Sequence, residues 1–104
     1  MVTVGLLIRI EAKPEKVPEI EAMLKAALDQ IREDTATVVW FALRLGPTTF
    51  GVFDASVDEA GRQAHLDAYG GALRAAAAEL FAGSPAIEYV DVIGAKLPES
   101  NQTR

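Results

Sequence analysis

Two β-rich runs, Thr37 to Leu45 and Phe50 to Ala55, stand back to back across the turn-like Gly46-Pro47-Thr48-Thr49. Amphipathic patterns flank this hairpin on both sides, and a further strand pattern lies beyond each of them. Upstream, Val17, Ile20, Leu24, Ala27, Leu28 and Ile31 recur every third or fourth residue, the spacing of one helix face. Pro18 places the start of that helix close to itself, because proline deeper inside removes a hydrogen bond. Val4, Leu6, Ile8 and Ile10 alternate through Val2 to Glu11 as a first strand, and Ile87 to Leu97 forms the last.

Downstream of the hairpin, Ser56-Val57-Asp58-Glu59 matches a capping box, with Ser56 as the N-cap and Glu59 reaching back to it. The helix that follows is expected to break at Gly70-Gly71 and resume over Ala72 to Ala82. The order is therefore β-α-β-β-α-β, an α+β fold of the ferredoxin-like type with a broken second helix. One domain over 1–97 and a polar C-terminal tail over 98–104 account for all 104 residues. Pairing Leu45 with Phe50 predicts Leu43 opposite Val52, Phe41 opposite Asp54 and Trp40 opposite Ala55, a register that the loop allows to slip by one residue.

The alternation is too apolar for a sheet with one wet face. Val39, Phe41, Leu43 and Leu45 oppose Val38, Trp40 and Ala42 in the second strand, and Phe50 and Val52 oppose Phe53 in the third. One set can meet the helices; the other leaves an apolar patch that a symmetric partner would cover. A homodimer with sheet against sheet is the expectation, and a domain swap or a different oligomer would satisfy the same argument.

Several function classes are excluded by composition. The formal net charge is −5, fifteen acidic residues against ten basic, with no basic cluster for nucleic acid. With no cysteine and one histidine, neither a disulfide nor a recognisable metal-ligand pattern is expected. No dinucleotide or phosphate-loop glycine motif is present, so no cofactor is expected. The first residues lack a basic segment, and Arg9 and Glu11 interrupt the apolar run. Neither a signal peptide nor a membrane partner is expected, and the cytoplasm is the expected location.

His65 has the one side chain whose ordinary pKa lies near neutrality, and is the candidate general base, with a structural histidine as the alternative. Asp54 alternates with Phe50 and Val52, a carboxylate on an otherwise apolar face. It is placed to orient His65, to hold a substrate hydroxyl, or to pair with Arg9 or Arg44. Tyr69 adjoins the glycine pair and offers a phenol to a ligand.

The stretch Leu7-Ile8-Arg9-Ile10-Glu11-Ala12-Lys13-Pro14, followed by an acidic amphipathic helix, resembles the start of the antibiotic biosynthesis monooxygenase family. Phe50-Gly51-Val52-Phe53-Asp54-Ala55-Ser56, leading through Glu59-Ala60 to Ala64-His65, resembles that family's third strand and following helix. The resemblance spans about Val4 to Leu97. It implies a ferredoxin-like dimer whose two sheets pack into an α+β barrel. It also implies oxidation of a small phenolic, quinol or polyketide-like aromatic by molecular oxygen without metal or flavin. Asp54 takes the family's acidic position, His65 its helix histidine and Trp40 its second-strand aromatic. Ser56 departs from the tryptophan common at its position. On this reading His65 is the base and Asp54 its orienter or a substrate clamp. Trp40 and Tyr69 are cavity walls, and Arg44 is a holder of the phenolate. The alternative is a non-catalytic dimeric small-molecule-binding or structural protein of the same fold.

Overall fold

In a computed structural model, residues 1–98 are described; the remainder of the expected tail, 99–104, lies outside the described residues. The elements run β1 (Val4–Glu11), a 3-10 turn (Pro14–Lys16), α1 (Val17–Ile31), β2 (Thr37–Arg44), β3 (Thr49–Ser56), α2 (Glu59–Leu80) and β4 (Ala86–Asp91). The four strands form one antiparallel sheet in the order β2-β3-β1-β4, as the β-α-β-β-α-β pattern requires. Both helices lie on one face.

Alternation decides which residues meet the helices. Leu6, Ile8 and Ile10 of β1 pair with Asp54, Val52 and Phe50 of β3, and Ile20 and Leu24 of α1 pack over the apolar end of that face. Phe81 closes this end from α2's side. There Ala82 donates its N–H to the Glu11 carbonyl at 2.7 Å, and Lys13 donates to the Leu80 carbonyl at 2.9 Å.

Four expectations need correction. The hairpin register is slipped by one residue: Arg44 faces Phe50, Ala42 faces Val52 and Trp40 faces Asp54, with an irregularity between Thr37 and Val39. The turn causes this, since Leu45 and Gly46 both donate to the Thr49 carbonyl, so the ladder closes before Leu45. A one-residue slip exchanges faces, so Trp40 joins the helix-covered side beside Asp54.

The second helix is not broken; α2 runs without interruption through Gly70 and Gly71. Neither glycine has positive φ, and the alanine-rich segment after them has high helix propensity. The cap is Asp58 rather than Ser56: its side chain accepts the Gly61 N–H at 2.9 Å, while Ser56 ends β3 with its hydroxyl buried. Finally, β4 stops at Asp91, well short of Leu97; residues 92–98 have no regular structure.

The outer face carries Phe41, Phe53 and Leu7 in one row across three strands and Val39, Ala55, Gly5 and Val90 in the next. Phe41 is 54 % exposed, and Leu43 and Leu45 are exposed beside it. Ile93, just past β4, is also fully exposed.

Candidate active site

The second half of the helix-covered face is polar. Asp54 and Ser56 follow Phe50 and Val52 on the same side of β3, and both are completely buried. Position 61 determines what lies above them. A Cβ on Gly61 would stand 3.2 Å from the Ser56 Cβ, so glycine lets α2 approach β3 closely here. One turn later the helix places His65 over Asp54, with Nε2 3.3 Å from Oδ2. This is an ion-pair distance without hydrogen-bond alignment: no donor among the described residues reaches either Asp54 oxygen.

The other ring nitrogen is better held. Nδ1 of His65 lies 2.8 Å from the Thr37 hydroxyl, which donates to Oδ2 of Asp34 at 2.9 Å. The second Asp34 oxygen accepts the Ala36 N–H at 2.9 Å. Burial alone would raise the Asp34 pKa. The Thr37 hydroxyl, the Ala36 N–H and the nearby charge of His65 outweigh it and hold the carboxyl below its usual range. Tyr69 packs against the imidazole at a tilt of 46°, with ring centroids 4.7 Å apart. Burial, and then the charge of Asp34, push its phenol up, so it stays protonated.

His65 and Tyr69 form part of the lining of an apolar cavity of about 400 Å³ between the two helices and the sheet. Leu6, Ile8, Trp40 and Val52 form its floor, and Met23, Leu24 and Leu73 are among the side chains above. That volume is within the range of small-molecule sites. Few polar side chains line it besides His65 and Tyr69: Gln30 and Glu79 are the others.

Four of the five sequence-derived candidates thus converge: His65 and Asp54 meet, Trp40 pairs across the ladder with Asp54, and Tyr69 covers the ring. Arg44 does not join them. Its guanidinium binds Glu21 at 2.9 Å and the Gly46 and Pro47 carbonyls, and stacks over Phe50. It lines a separate groove of about 330 Å³ between α1 and β2, so a phenolate beside His65 lies out of its company. Asp54 pairs with neither Arg9 nor Arg44.

Thr37 and Asp34 were missed. The one sequence signal was Asp-x-Ala-Thr ahead of a strand, where a short acid accepts local donors as in an Asx turn. Arg62 was missed as well. It is buried, donates to the Gly5 and Val90 carbonyls at 3.1 Å each, pairs with Glu59 and lies over the Tyr89 ring. Its bonds are structural: they tie α2 to β1 and β4. No group of three or more His, Cys, Asp or Glu among the described residues is placed to hold a metal ion. No helix among them is long and apolar enough to cross a membrane.

The fold and this polar layer define a small α+β domain with a histidine–carboxylate pair next to an apolar cavity. The chain belongs to the same family as NE2512 of Nitrosomonas europaea, a protein of unknown function. The two share 46 % identity over 96 % of this chain and 98 % of that one, with a TM-score of 0.91. Its fold is also that of a "putative antibiotic biosynthesis monooxygenase" from Caulobacter crescentus, at 22 % identity, covering 89 % and 92 % of the two chains, with a TM-score of 0.73. A monooxygenase of Streptomyces coelicolor bound to nanaomycin D has the fold too, at 18 % identity, 94 % coverage of each chain and a TM-score of 0.71. No family model matches the sequence, and no curated protein matches it.

Proposed function

We propose that the protein is a cofactor-independent monooxygenase of the antibiotic biosynthesis type, oxidising a small phenolic, quinol or polyketide-like aromatic with molecular oxygen. The observation that carries this reading is the buried pair of His65 and Asp54, 3.3 Å apart, with His65 in the wall of an apolar cavity of about 400 Å³. The Streptomyces coelicolor monooxygenase of the same fold, in complex with nanaomycin D, supports a small organic substrate.

The chemistry needs little beyond that pair. Reaction of a singlet organic molecule with triplet oxygen is spin-restricted, and a phenolate gives up one electron far more readily than a phenol. His65 takes the phenolic proton, and Asp54 stabilises the imidazolium beside it. One electron passes from phenolate to oxygen, and the resulting superoxide joins the ring carbon para to the hydroxyl. Loss of that carbon's proton with cleavage of the O–O bond leaves a quinone and releases one water. A phenol and one dioxygen thus give one quinone and one water, with the ring oxidised and oxygen reduced. Trp40 and Tyr69 hold the aromatic face among apolar walls.

Oxygen uptake with a dihydroxynaphthalene-type substrate, after exhaustive chelation and without flavin, tests the proposal. Replacing His65 by alanine is expected to slow uptake by ~10²–10⁴-fold, the usual contribution of a positioned base. Equal rates in the two proteins would remove His65 from the mechanism, leaving either self-oxidation of the substrate in the cavity or no enzyme at all. A rate abolished by chelation and restored by iron or copper would overturn the cofactor-free claim.

The proposal includes a homodimer. Exposed Phe41, Leu43 and Leu45 adjoin the half-buried Leu7, Val39 and Phe53, so the apolar patch on the outer sheet face is continuous. A second copy applied sheet to sheet removes it from water. Sedimentation velocity is expected to show a dimer at micromolar concentration, and a concentration-independent monomer there refutes it.

A further inference from the structure

We infer that Thr37 and Asp34 are positioning residues for His65, holding a hydrogen on Nδ1 so that every change in the ring's protonation takes place at Nε2, the nitrogen facing Asp54. The inference rests on the reading of His65 as proton acceptor, and it follows from counting hydrogens. Asp34 is ionised at neutral pH and so only accepts. The Thr37 hydroxyl has a single hydrogen, and at 2.9 Å from Asp34 Oδ2 that hydrogen goes to the carboxylate. Towards His65 the same oxygen then has only lone pairs. At 2.8 Å from it, Nδ1 must be the donor.

The surroundings of the ring agree. The α1–β2 connection presents Asp34, whose Oδ2 is also 3.7 Å from Nδ1, and β2 presents Thr37. From β3 comes Asp54, and from α2 itself Tyr69, which remains a neutral phenol. With a carboxylate on the Nδ1 side and a hydroxyl that accepts, a lone pair on Nδ1 would face only negative charge density. Nε2, by contrast, has Asp54 at 3.3 Å without hydrogen-bond alignment, so neither a lone pair nor a proton is fixed there. The base is thereby directed to one atom before any substrate arrives. A histidine free to choose its tautomer would divide itself between a useful and a useless form.

The chain's single histidine makes the test direct, because nitrogen-15 NMR of the imidazole reports one ring only. In the wild-type protein, Nδ1 is expected to keep its hydrogen to the alkaline end of the folded range. In T37V, which keeps the shape and removes the hydroxyl, the hydrogen of the neutral ring is expected to move to Nε2, and T37S is expected to restore it. A wild-type ring that loses the Nδ1 hydrogen first overturns the inference, as does a T37V ring indistinguishable from wild type. Kinetics supply a second reading. T37V and D34N should lower kcat by roughly 10–100-fold, a fraction of the ~10²–10⁴-fold that a positioned base contributes, with KM nearly unchanged and T37S near wild type. Wild-type protein that shows the expected ring state but consumes no oxygen defeats the oxygenase reading and leaves the positioning role standing. Unchanged kcat in T37V, where wild type is active, defeats the positioning role.

Discussion

The two ends of the helix-covered sheet face are built from opposite materials. At one end Ile10, Phe50, Ile20, Leu24 and Phe81 fill the space with hydrocarbon and leave nothing polar to satisfy. At the other, Thr37, Asp54 and Ser56 are buried with His65 above them. Burial of Phe50 and its neighbours accounts for itself, at ~25 cal/mol for each Å² removed from water. Burial of Asp54 and Ser56 does not: their oxygens lack hydrogen-bond donors among the described residues, and such groups cost about 1–3 kcal/mol each. One end of the sheet therefore stabilises the fold. The other draws on that stability to hold a carboxylate and an imidazole together.

Truncation at the apolar end is expected to have the larger effect on folding. Replacing Phe50 by alanine should destabilise the protein by about 3–5 kcal/mol in urea unfolding, the cost of a large cavity in a packed core. A loss under 1 kcal/mol would break the contrast. The polar end is expected to behave in reverse when both partners are changed together. Leucine at Asp54 and His65 removes a buried polar pair without leaving either group alone, and such exchanges are neutral or stabilising by up to ~4 kcal/mol. The double variant should unfold no earlier than wild type. It should also be more stable than the single H65A protein, where Asp54 has lost its partner. If it is much the least stable of the three, Asp54 and His65 serve the fold, and the division between the two ends fails.

What the sequence made visible, and what it hid, follows the same boundary. Alternation and helical spacing located every strand and both helices, because burial of Ile8, Ile10, Ile20 and Leu24 imposes those periods. That Asp54 interrupts an apolar face was legible as well, but its partner was not: His65 was one alternative beside a substrate hydroxyl and Arg9 or Arg44. The register was not: whether Trp40 or Phe41 stands opposite Asp54 depends on how Leu45 and Gly46 bond to Thr49, a matter of turn geometry that no period encodes. Ser56 was the expected cap, but it lies buried where α2 approaches β3 at Gly61, and Asp58 caps the helix instead. Gly70-Gly71 looked like a break because propensity is local, whereas a long helix docked on a sheet tolerates a penalty of about 1 kcal/mol per glycine. Asp34 and Thr37 escaped notice because they approach His65 from 28 or more residues away in sequence.

The slipped register has one more consequence. Trp40, the chain's single tryptophan, stands in the wall of the apolar cavity and in that of the groove beside Arg44. An aromatic guest in either hollow touches the same indole, which is therefore an intrinsic fluorophore for both compartments. Quenching that persists when Arg44 is removed assigns the guest to the cavity with His65, and quenching that disappears assigns it to the groove. The protein thus carries its own label at the partition between its two hollows.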